Sequence, residues 1–213
     1  MENSEEISEK YLRKLHFITT FAWLHKGCEK VIETILLTLV LAKVKGYKLK
    51  PLFKSWAVYP VIGFQLIYLL LQVTVFMNNY TFIKYTGIFK TLYLCSFLFL
   101  IIKYKRYVSA FIGSLFIFLG SACNNIAISA NADKMPVFPT LSYVTGYADS
   151  VKFVKADNLH ILGSSSTKLK FLTDIIDTGY CIMSIGDIFI RVFIVIVIFS
   201  TIKHINKREN AEI

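Results

Sequence analysis

Four polar residues interrupt apolar runs that are long enough to cross a membrane, where a polar side chain is costly unless it has a partner or a task. Asn124 and Asn125 lie in one run, and Asp187 and Arg191 lie in another. Asp187 and Arg191 are four residues apart, so on a helix they share one side and are expected to neutralise each other. Together the four residues predict a polar site that could bind a ligand or substrate.

The same segment also supports a purely structural interpretation. Ser184 precedes Asp187 by three residues, which is the spacing of a capping box, where each side chain binds a backbone N–H group at the start of a helix. An acidic residue there also suits the helix dipole. A cap combined with an ion pair is the favoured interpretation and a ligand site the second, and the two are compatible.

The sequence offers no clear catalytic, metal or cofactor constellation. The four histidines lie on different segments without paired-ligand spacing, and there is no glycine-rich phosphate loop or nucleophile elbow. We therefore expect no metal and no cofactor, and a non-enzymatic protein is favoured over an enzyme.

The cysteines divide by location. Cys95 and Cys123 fall within apolar runs, whereas Cys28 and Cys181 lie outside them. Free thiols are expected, and a disulfide between Cys28 and Cys181 is the less favoured alternative.

The amino-acid composition indicates that the chain lies in a lipid bilayer. Of 213 residues, 55% are hydrophobic and 18% charged, and the mean hydropathy is +0.55. These values exclude a soluble domain, a disordered chain and a disulfide scaffold, and they predict an all-α membrane protein. The net charge of +10 would suggest nucleic acid in a soluble chain, but in a membrane protein it marks cytoplasmic loops. We expect the lipid bilayer as partner, and no nucleic acid.

The apolar runs predict about five transmembrane helices, four strong and one weak, because a span needs roughly 20 apolar residues. Residues 1–30 are predicted to form an interfacial amphipathic segment before the membrane domain 31–202, and residues 203–213 a tail. A cytosolic or external helix packed on the bundle is an equally supported alternative for the first segment. The helices are expected at 31–44 (the weak one), 56–77, 85–102, 108–129 and 185–202.

Loop charges set the expected orientation. The connection after the first helix and the connection after the third carry only basic residues, so both should be cytoplasmic. The N-terminus is then external and the tail cytoplasmic. If Val31–Val44 does not cross, the N-terminus moves inside and the other helices keep their orientation.

The outer loop 130–183 is too long for a passive turn and too apolar for disorder. We expect it to be partly structured and to fold onto the outer mouth of the bundle. The two prolines of 135–139 predict an extended segment, and apolar spacing predicts a short amphipathic helix over 167–178. In this arrangement His160, Asp174 and Asp177 would cover the polar site.

Four short motifs follow one another along the last hundred residues. The motifs are Asn131-Ala132-Asp133-Lys134-Met135-Pro136-Val137, His160, Thr167-Lys168-Leu169 with Leu172-Thr173-Asp174, and Ser184-Ile185-Gly186-Asp187. Their order resembles a family of small bacterial multi-pass membrane proteins known only as a domain of unknown function, whose pattern has Asn-Gly where this chain has Asn131-Ala132. The resemblance covers 31–202 and implies a fold and a plasma-membrane location, but no activity.

Three functions follow from these residues. The leading hypothesis is a non-enzymatic sensor or accessory subunit whose outer mouth binds a small polar ligand or a membrane-protein partner. The second is a small transporter or permease acting as a homo-oligomer, since five helices alone hardly enclose a path. The third, a membrane enzyme acting on lipid or peptide, lacks a nucleophile and base pair.

Overall fold

The computed structural model describes residues 31–76, 86–145, 160–179 and 181–211, and this part of the chain is mostly helical. The predicted interfacial segment 1–30 lies outside the described residues. The described helices are α1 (Val31–Val44), α2 (Lys50–Phe53), α3 (Tyr59–Phe76), α4 (Thr86–Ser96), α5 (Leu98–Tyr104), α6 (Tyr107–Ala130), α7 (Leu141–Val144) and α8 (Ile185–Ala211). The described strands are β1 (Met135–Val137), β2 (His160–Leu162), β3 (Ile176–Asp177) and β4 (Ile182–Met183).

Two of the described helices are long and apolar enough to cross a bilayer. They are α6, with 24 residues, and α8, with 27 residues. Only 17% of the apolar window of α6 is buried within the chain, and 39% of that of α8, whereas a core helix of a soluble protein is mostly buried. Helices α1, α3, α4 and α5 are shorter, so five spanning helices stay a prediction.

Helix α8 continues well past the predicted end at residue 202. It reaches Ala211 because no proline or glycine interrupts residues 203–211.

The C-terminal part of α8 contacts two other basic segments. The amide of Asn206, one turn beyond the apolar part, accepts from Lys48 N–H at 2.7 Å and donates to Lys48 C=O at 3.0 Å. The Tyr104 and His204 rings lie 6.2 Å apart. The three basic segments near residues 43–54, 103–106 and 203–208 therefore share one end of the molecule.

Small residues bring α6 and α8 into contact. Gly113, Gly120 and Ala127 are the buried residues of α6 and recur every seven positions, so they form one stripe along the helix. A Cβ atom on Gly113 would collide with the Phe193 ring, and one on Gly120 with the carbonyl oxygen of Gly186. The two backbones can approach closely only because these side chains are absent, as in many membrane helix pairs.

A row of aromatic rings packs α3, α4 and α8 together. Tyr68 and Tyr93 are 6.0 Å apart, Tyr93 and Phe97 5.4 Å, and Phe97 and Phe193 5.8 Å between ring centroids, all edge to face. Each such pair contributes about 0.5–1.5 kcal/mol beyond the burial of its area. Phe97 lies between α4 and α5 and is fully buried. Its packing against Tyr93 and Phe193 therefore fixes the position of the connection between the two helices.

The described part of the predicted outer loop 130–183, called the outer segment from here on, contains a small amount of β structure. Strands β1 and β2 pair in parallel, with Met135 opposite His160, and β3 and β4 pair antiparallel, with Asp177 opposite Ile182. The extended conformation predicted for 135–139 is confirmed over β1. Backbone hydrogen bonds also join Asp174 to the residues around β1. They run from Phe138 N–H to Asp174 C=O (2.9 Å) and from Asp174 N–H to Pro136 C=O (3.1 Å).

The predicted amphipathic helix over 167–178 is wrong. This stretch holds one 3-10 turn, Lys170–Leu172, and then strand β3. Leu169 has a φ of +49°, and the backbone of Asp174 pairs with the residues around β1. Long-range pairing has therefore overridden the local apolar spacing.

The turn after α6 is strained. Ala132 and Asp133 have φ values of +56° and +57°, in the left-handed region that costs L-residues roughly 1–2 kcal/mol. The Asn131 amide holds the turn, donating to Lys168 C=O at 2.9 Å and accepting from Lys168 N–H at 2.9 Å. Glycine would adopt this conformation without strain at position 132.

The expectation of free thiols fails at one cysteine. Cys181 is disulfide-bonded, while Cys95 and Cys123 are free. Cys28, named in the alternative, lies outside the described residues. Disulfides persist in oxidising compartments and are rare in the cytosol.

Candidate functional site

The start of α8 is closed by a reciprocal cap. The Ser184 hydroxyl accepts from Asp187 N–H at 3.1 Å, and the Asp187 carboxylate accepts from Ser184 N–H at 3.0 Å. Ser184 is fully buried, and the two bonds satisfy donors that a helix start leaves without partners. The capping box predicted from the spacing of these residues is confirmed.

Asn124 of α6 joins this cap from the neighbouring helix. Its amide nitrogen donates to Asp187 Oδ1 at 3.2 Å, and its amide oxygen accepts from the Ser184 hydroxyl at 2.8 Å. Gly186 makes the contact possible, because a Cβ atom there would collide with the Asn124 oxygen. The three polar side chains therefore form one hydrogen-bonded cluster, which ties the C-terminal part of α6 to the first turn of α8.

Arg191 is not part of this cluster. The expected ion pair with Asp187 is not formed. The Asp187 oxygens instead accept from Ser184 and Asn124. The half-buried Arg191 guanidinium instead lies 3.9 Å from Cys181 Sγ, a weak acceptor. Among the described residues no carboxylate pairs with Arg191.

Asn125 takes no part in the cluster either. Its side chain is exposed, whereas that of Asn124 is half-buried. Adjacent residues on a helix point in directions about 100° apart, so only one of the two can face α8. The structure thus separates two residues that the sequence analysis treated alike.

His160 and Asp174 form a second group in the outer segment. His160 Nε2 lies 3.6 Å from Asp174 Oδ2. Asp174 is 5% exposed, and its backbone bonds to the residues around β1, while His160 begins β2. The pair therefore links two edges of the small sheet.

Asp177 forms a third group, with α7. Its carboxylate accepts from the backbone N–H groups of Thr140 (2.6 Å), Ser142 (2.8 Å) and Gly179 (2.7 Å) and from the Ser142 hydroxyl (2.6 Å). Partial burial by itself would raise the pKa of Asp177, but the bonds from Ser142, Thr140 and Gly179 hold the pKa below its ordinary value. Asp177 thus caps α7 from a distant part of the chain.

The arrangement limits the chemistry of the site. The polar atoms of Asn124, Ser184 and Asp187 largely satisfy one another, and the described residues contain no group of His, Cys, Asp and Glu that could hold a metal ion. Arg191 is different, since a guanidinium has five donors in a planar fork that suits carboxylate and phosphate. Among the side chains of this region, Arg191 is therefore the one best suited to bind an anion.

Sequence reasoning missed two contributors to this region. The seven-residue spacing of Gly113, Gly120 and Ala127 was a visible signal of close helix packing. No local signal pointed to the Asn131 amide, because its partner Lys168 lies far along the chain.

These features define a mostly helical protein with two helices of membrane-spanning length. The two helices are joined through glycines and a partly buried polar cluster, and a small β-containing segment lies between them in the chain. The chain belongs to the DUF5317 family, a family of unknown function, which matches residues 49–199. This match bears out the resemblance to a family without an established activity. The chain matches no curated protein and no solved structure.

Proposed function

We propose that this chain is a multi-pass protein of a bacterial plasma membrane, as the resemblance implies, and that it acts as a non-enzymatic sensor or accessory subunit. Its outer mouth receives an anionic group, a carboxylate or phosphate of a small ligand or of a partner protein. Arg191 binds that group, and the Asn124, Ser184 and Asp187 cluster holds the two helices on which the site is built.

Exposed apolar side chains support the proposal that more than two helices span the membrane. Leu37 of α1 is 57% exposed, Leu70 of α3 is 65% exposed and Phe118 of α6 is 72% exposed. Soluble monomers rarely expose large contiguous apolar surfaces. Helix α3 has 18 residues, which span about 27 Å at 1.5 Å per residue, close to the thickness of the hydrocarbon core.

The distribution of charge supports the orientation. The basic segments near residues 43–54, 103–106 and 203–208 share one end, which the positive-inside rule assigns to the cytoplasm. The start of α8 is then external, together with the disulfide-bonded Cys181. Arg191 lies six residues into α8, about 9 Å from its start, so its head can reach an outer aqueous mouth.

The observation that carries the proposal is that Arg191 has no carboxylate partner among the described residues, although Asp187 lies four residues away on the same helix. Asp187 is engaged by the cap, and the guanidinium of Arg191 has only a sulfur neighbour at 3.9 Å within the described part of the chain. A cation held in an apolar helix is costly and is commonly functional. An anion from outside the chain would supply the missing charge.

The test measures thermal unfolding of the full chain in phosphatidylcholine nanodiscs with acetate, succinate or inorganic phosphate, against chloride at equal ionic strength. Acetate reproduces a partner's carboxylate, so the panel covers both ligand and partner. We expect at least one anion to raise Tm saturably in the native chain and in Arg208→Gln, a matched control at the other end of α8, and not in Arg191→Gln.

Two results would overturn the proposal. One is a native chain whose Tm responds to none of the three anions more than to chloride. The other is a response of equal size in Arg191→Gln. If Arg191→Gln does not fold, Arg191→Lys keeps the charge while losing the planar fork, and it should show a weaker response.

A further inference from the structure

A basic cleft lies at the end of the molecule opposite the Asn124 cluster. It has a volume of about 720 Å³ and is lined by Lys43, Lys48, Leu49, Lys50, Pro51, Lys54 and Glu209. Four of these seven residues are lysines and one is acidic. The volume is within the range of small-molecule sites. Most of the lining surface is apolar, and the residues that line the cleft carry a net positive charge.

The cleft has a fixed wall. Asn206, 7% exposed, holds both backbone groups of Lys48, at 2.7 Å and 3.0 Å. The connection between α1 and α2 is thereby fastened to α8. The positions of the surrounding lysines are consequently set by the fold and not by a free loop.

Most of the positive charge in the cleft is uncompensated. Lys48 Nζ lies 4.0 Å from the Glu209 carboxylate, and both side chains are well exposed. In the described residues, Lys43, Lys50 and Lys54 make no ion pair. Three cations that share a cleft with a single, already engaged carboxylate should attract a multiply charged or strongly acidic group.

Exposed aromatic residues lie at this end of the helices. Trp56 is 56% exposed, its ring packs on Phe99 at 6.1 Å, and Lys103 Nζ lies 5.0 Å above it. Tyr59 and Tyr107 are also exposed. Tryptophan and tyrosine concentrate where acyl chains meet headgroups, and lysines beside them can reach lipid phosphates.

We propose that this cleft is a phosphate-binding site that takes the phosphate of an anionic lipid headgroup or of a soluble phosphate compound. Leu49 and Pro51 provide apolar surface for the group that carries the phosphate, and Lys43, Lys50 and Lys54 neutralise it. The site is separate from Arg191. It rests on the proposed function only for the presence of a bilayer at this end.

The test uses the full chain and three variants of it. The cleft variant combines Lys43→Gln, Lys50→Gln and Lys54→Gln. The control variant combines Lys203→Gln, Lys207→Gln and Arg208→Gln, which removes the same charge from exposed positions at the same end but outside the cleft. Arg191→Gln is carried along to keep the two proposals distinguishable.

In the lipid arm, native mass spectrometry of detergent-purified protein compares the retention of phosphatidylglycerol with that of phosphatidylcholine. We expect the native chain, the control variant and Arg191→Gln to prefer phosphatidylglycerol. The cleft variant should lose this preference by about fivefold for each lysine removed, since a lysine near a headgroup contributes about that factor. In the soluble arm, inorganic phosphate is titrated onto the chain in phosphatidylcholine nanodiscs.

The two arms of the experiment distinguish a lipid phosphate from a soluble one. Cleft-dependent preference for phosphatidylglycerol assigns the phosphate to a lipid, and cleft-dependent binding of inorganic phosphate assigns it to a soluble compound. Equal losses in the cleft and control variants, or no preference in either arm, would overturn the proposal, because they would reflect overall charge alone. If the triple variant does not fold, the three single substitutions at these exposed lysines are measured instead.

Discussion

Gly120 and Gly186 lie in backbone contact, so that a Cβ atom on either residue would collide with the carbonyl oxygen of the other. This contact lies beside the Asn124, Ser184 and Asp187 cluster, because the same missing side chain at Gly186 gives Asn124 its place. The packing of α6 on α8 and the geometry of the polar cluster therefore depend on the same pair of glycines.

Replacing Gly186 with alanine should destabilise the chain by about 1–3 kcal/mol, the usual cost of overpacking a close contact. The added methyl group would push α6 and α8 apart and break the bonds of Asn124. The measurement is Tm in detergent. Gly63→Ala is the matched control, because a Cβ atom at that position meets nothing within 4 Å, and alanine is the better helix former. Equal losses of stability in the two variants would contradict the close contact.

Replacing Ala132 with glycine should stabilise the chain by roughly 1 kcal/mol, because glycine adopts the observed φ of +56° without strain and thereby offsets its greater freedom in the unfolded chain. Thermal unfolding measures the effect. Ala122→Gly, in the interior of α6, is the control and should cost about 1 kcal/mol. A loss of stability in Ala132→Gly would show that the turn is not left-handed.

The positions of the main helices and the cap at Ser184 could be predicted, because both depend on residues close in the sequence. Apolar runs give the helices, and the spacing of Ser184 and Asp187 gives the cap. The ion pair of Asp187 with Arg191 was predicted wrongly for a related reason. Spacing shows which side chains can meet, but not that the carboxylate already accepts from Ser184 N–H and Asn124.

The outer segment could not be predicted to the same extent, because its contacts are distant in sequence. Met135 pairs with His160, and Asp174 bonds to Pro136 and Phe138. Pairing of this kind decided that residues 167–178 do not form a helix, although their apolar spacing favours one. Proline chemistry is local, and it did predict the extended conformation of β1.

Replacing Asp177 with asparagine should destabilise the outer segment by about 1–2 kcal/mol at neutral pH, since the charged cap of α7 is lost. The folded pKa of Asp177 lies below its ordinary value of 3.8. Its contribution is therefore fully present above that value and is lost as pH falls through the folded pKa. Hydrogen exchange of the Ser142 amide, followed from pH 7 downward, measures the effect.

The comparison that isolates Asp177 is the difference between the native chain and the variant at each pH. This difference should shrink as the medium becomes acidic, because protonation removes the same charge from the native chain. Asp133→Asn, at an exposed turn position, is the control and should leave Ser142 exchange unchanged. A difference that stays constant down to acid pH would argue against a charged cap.

Replacing Asn206 with alanine should destabilise the chain by about 1–3 kcal/mol, because the backbone N–H and C=O of Lys48 would both lose a partner in a partly buried site. Since Asn206 fastens the connection between α1 and α2 to α8, exchange of the Lys48 amide should accelerate more than exchange along α6. Asn210→Ala, an exposed position one turn later, is the matched control. If both variants lower Tm equally, the effect belongs to the helix end in general, and the bond to Lys48 does not fix the wall of the basic cleft.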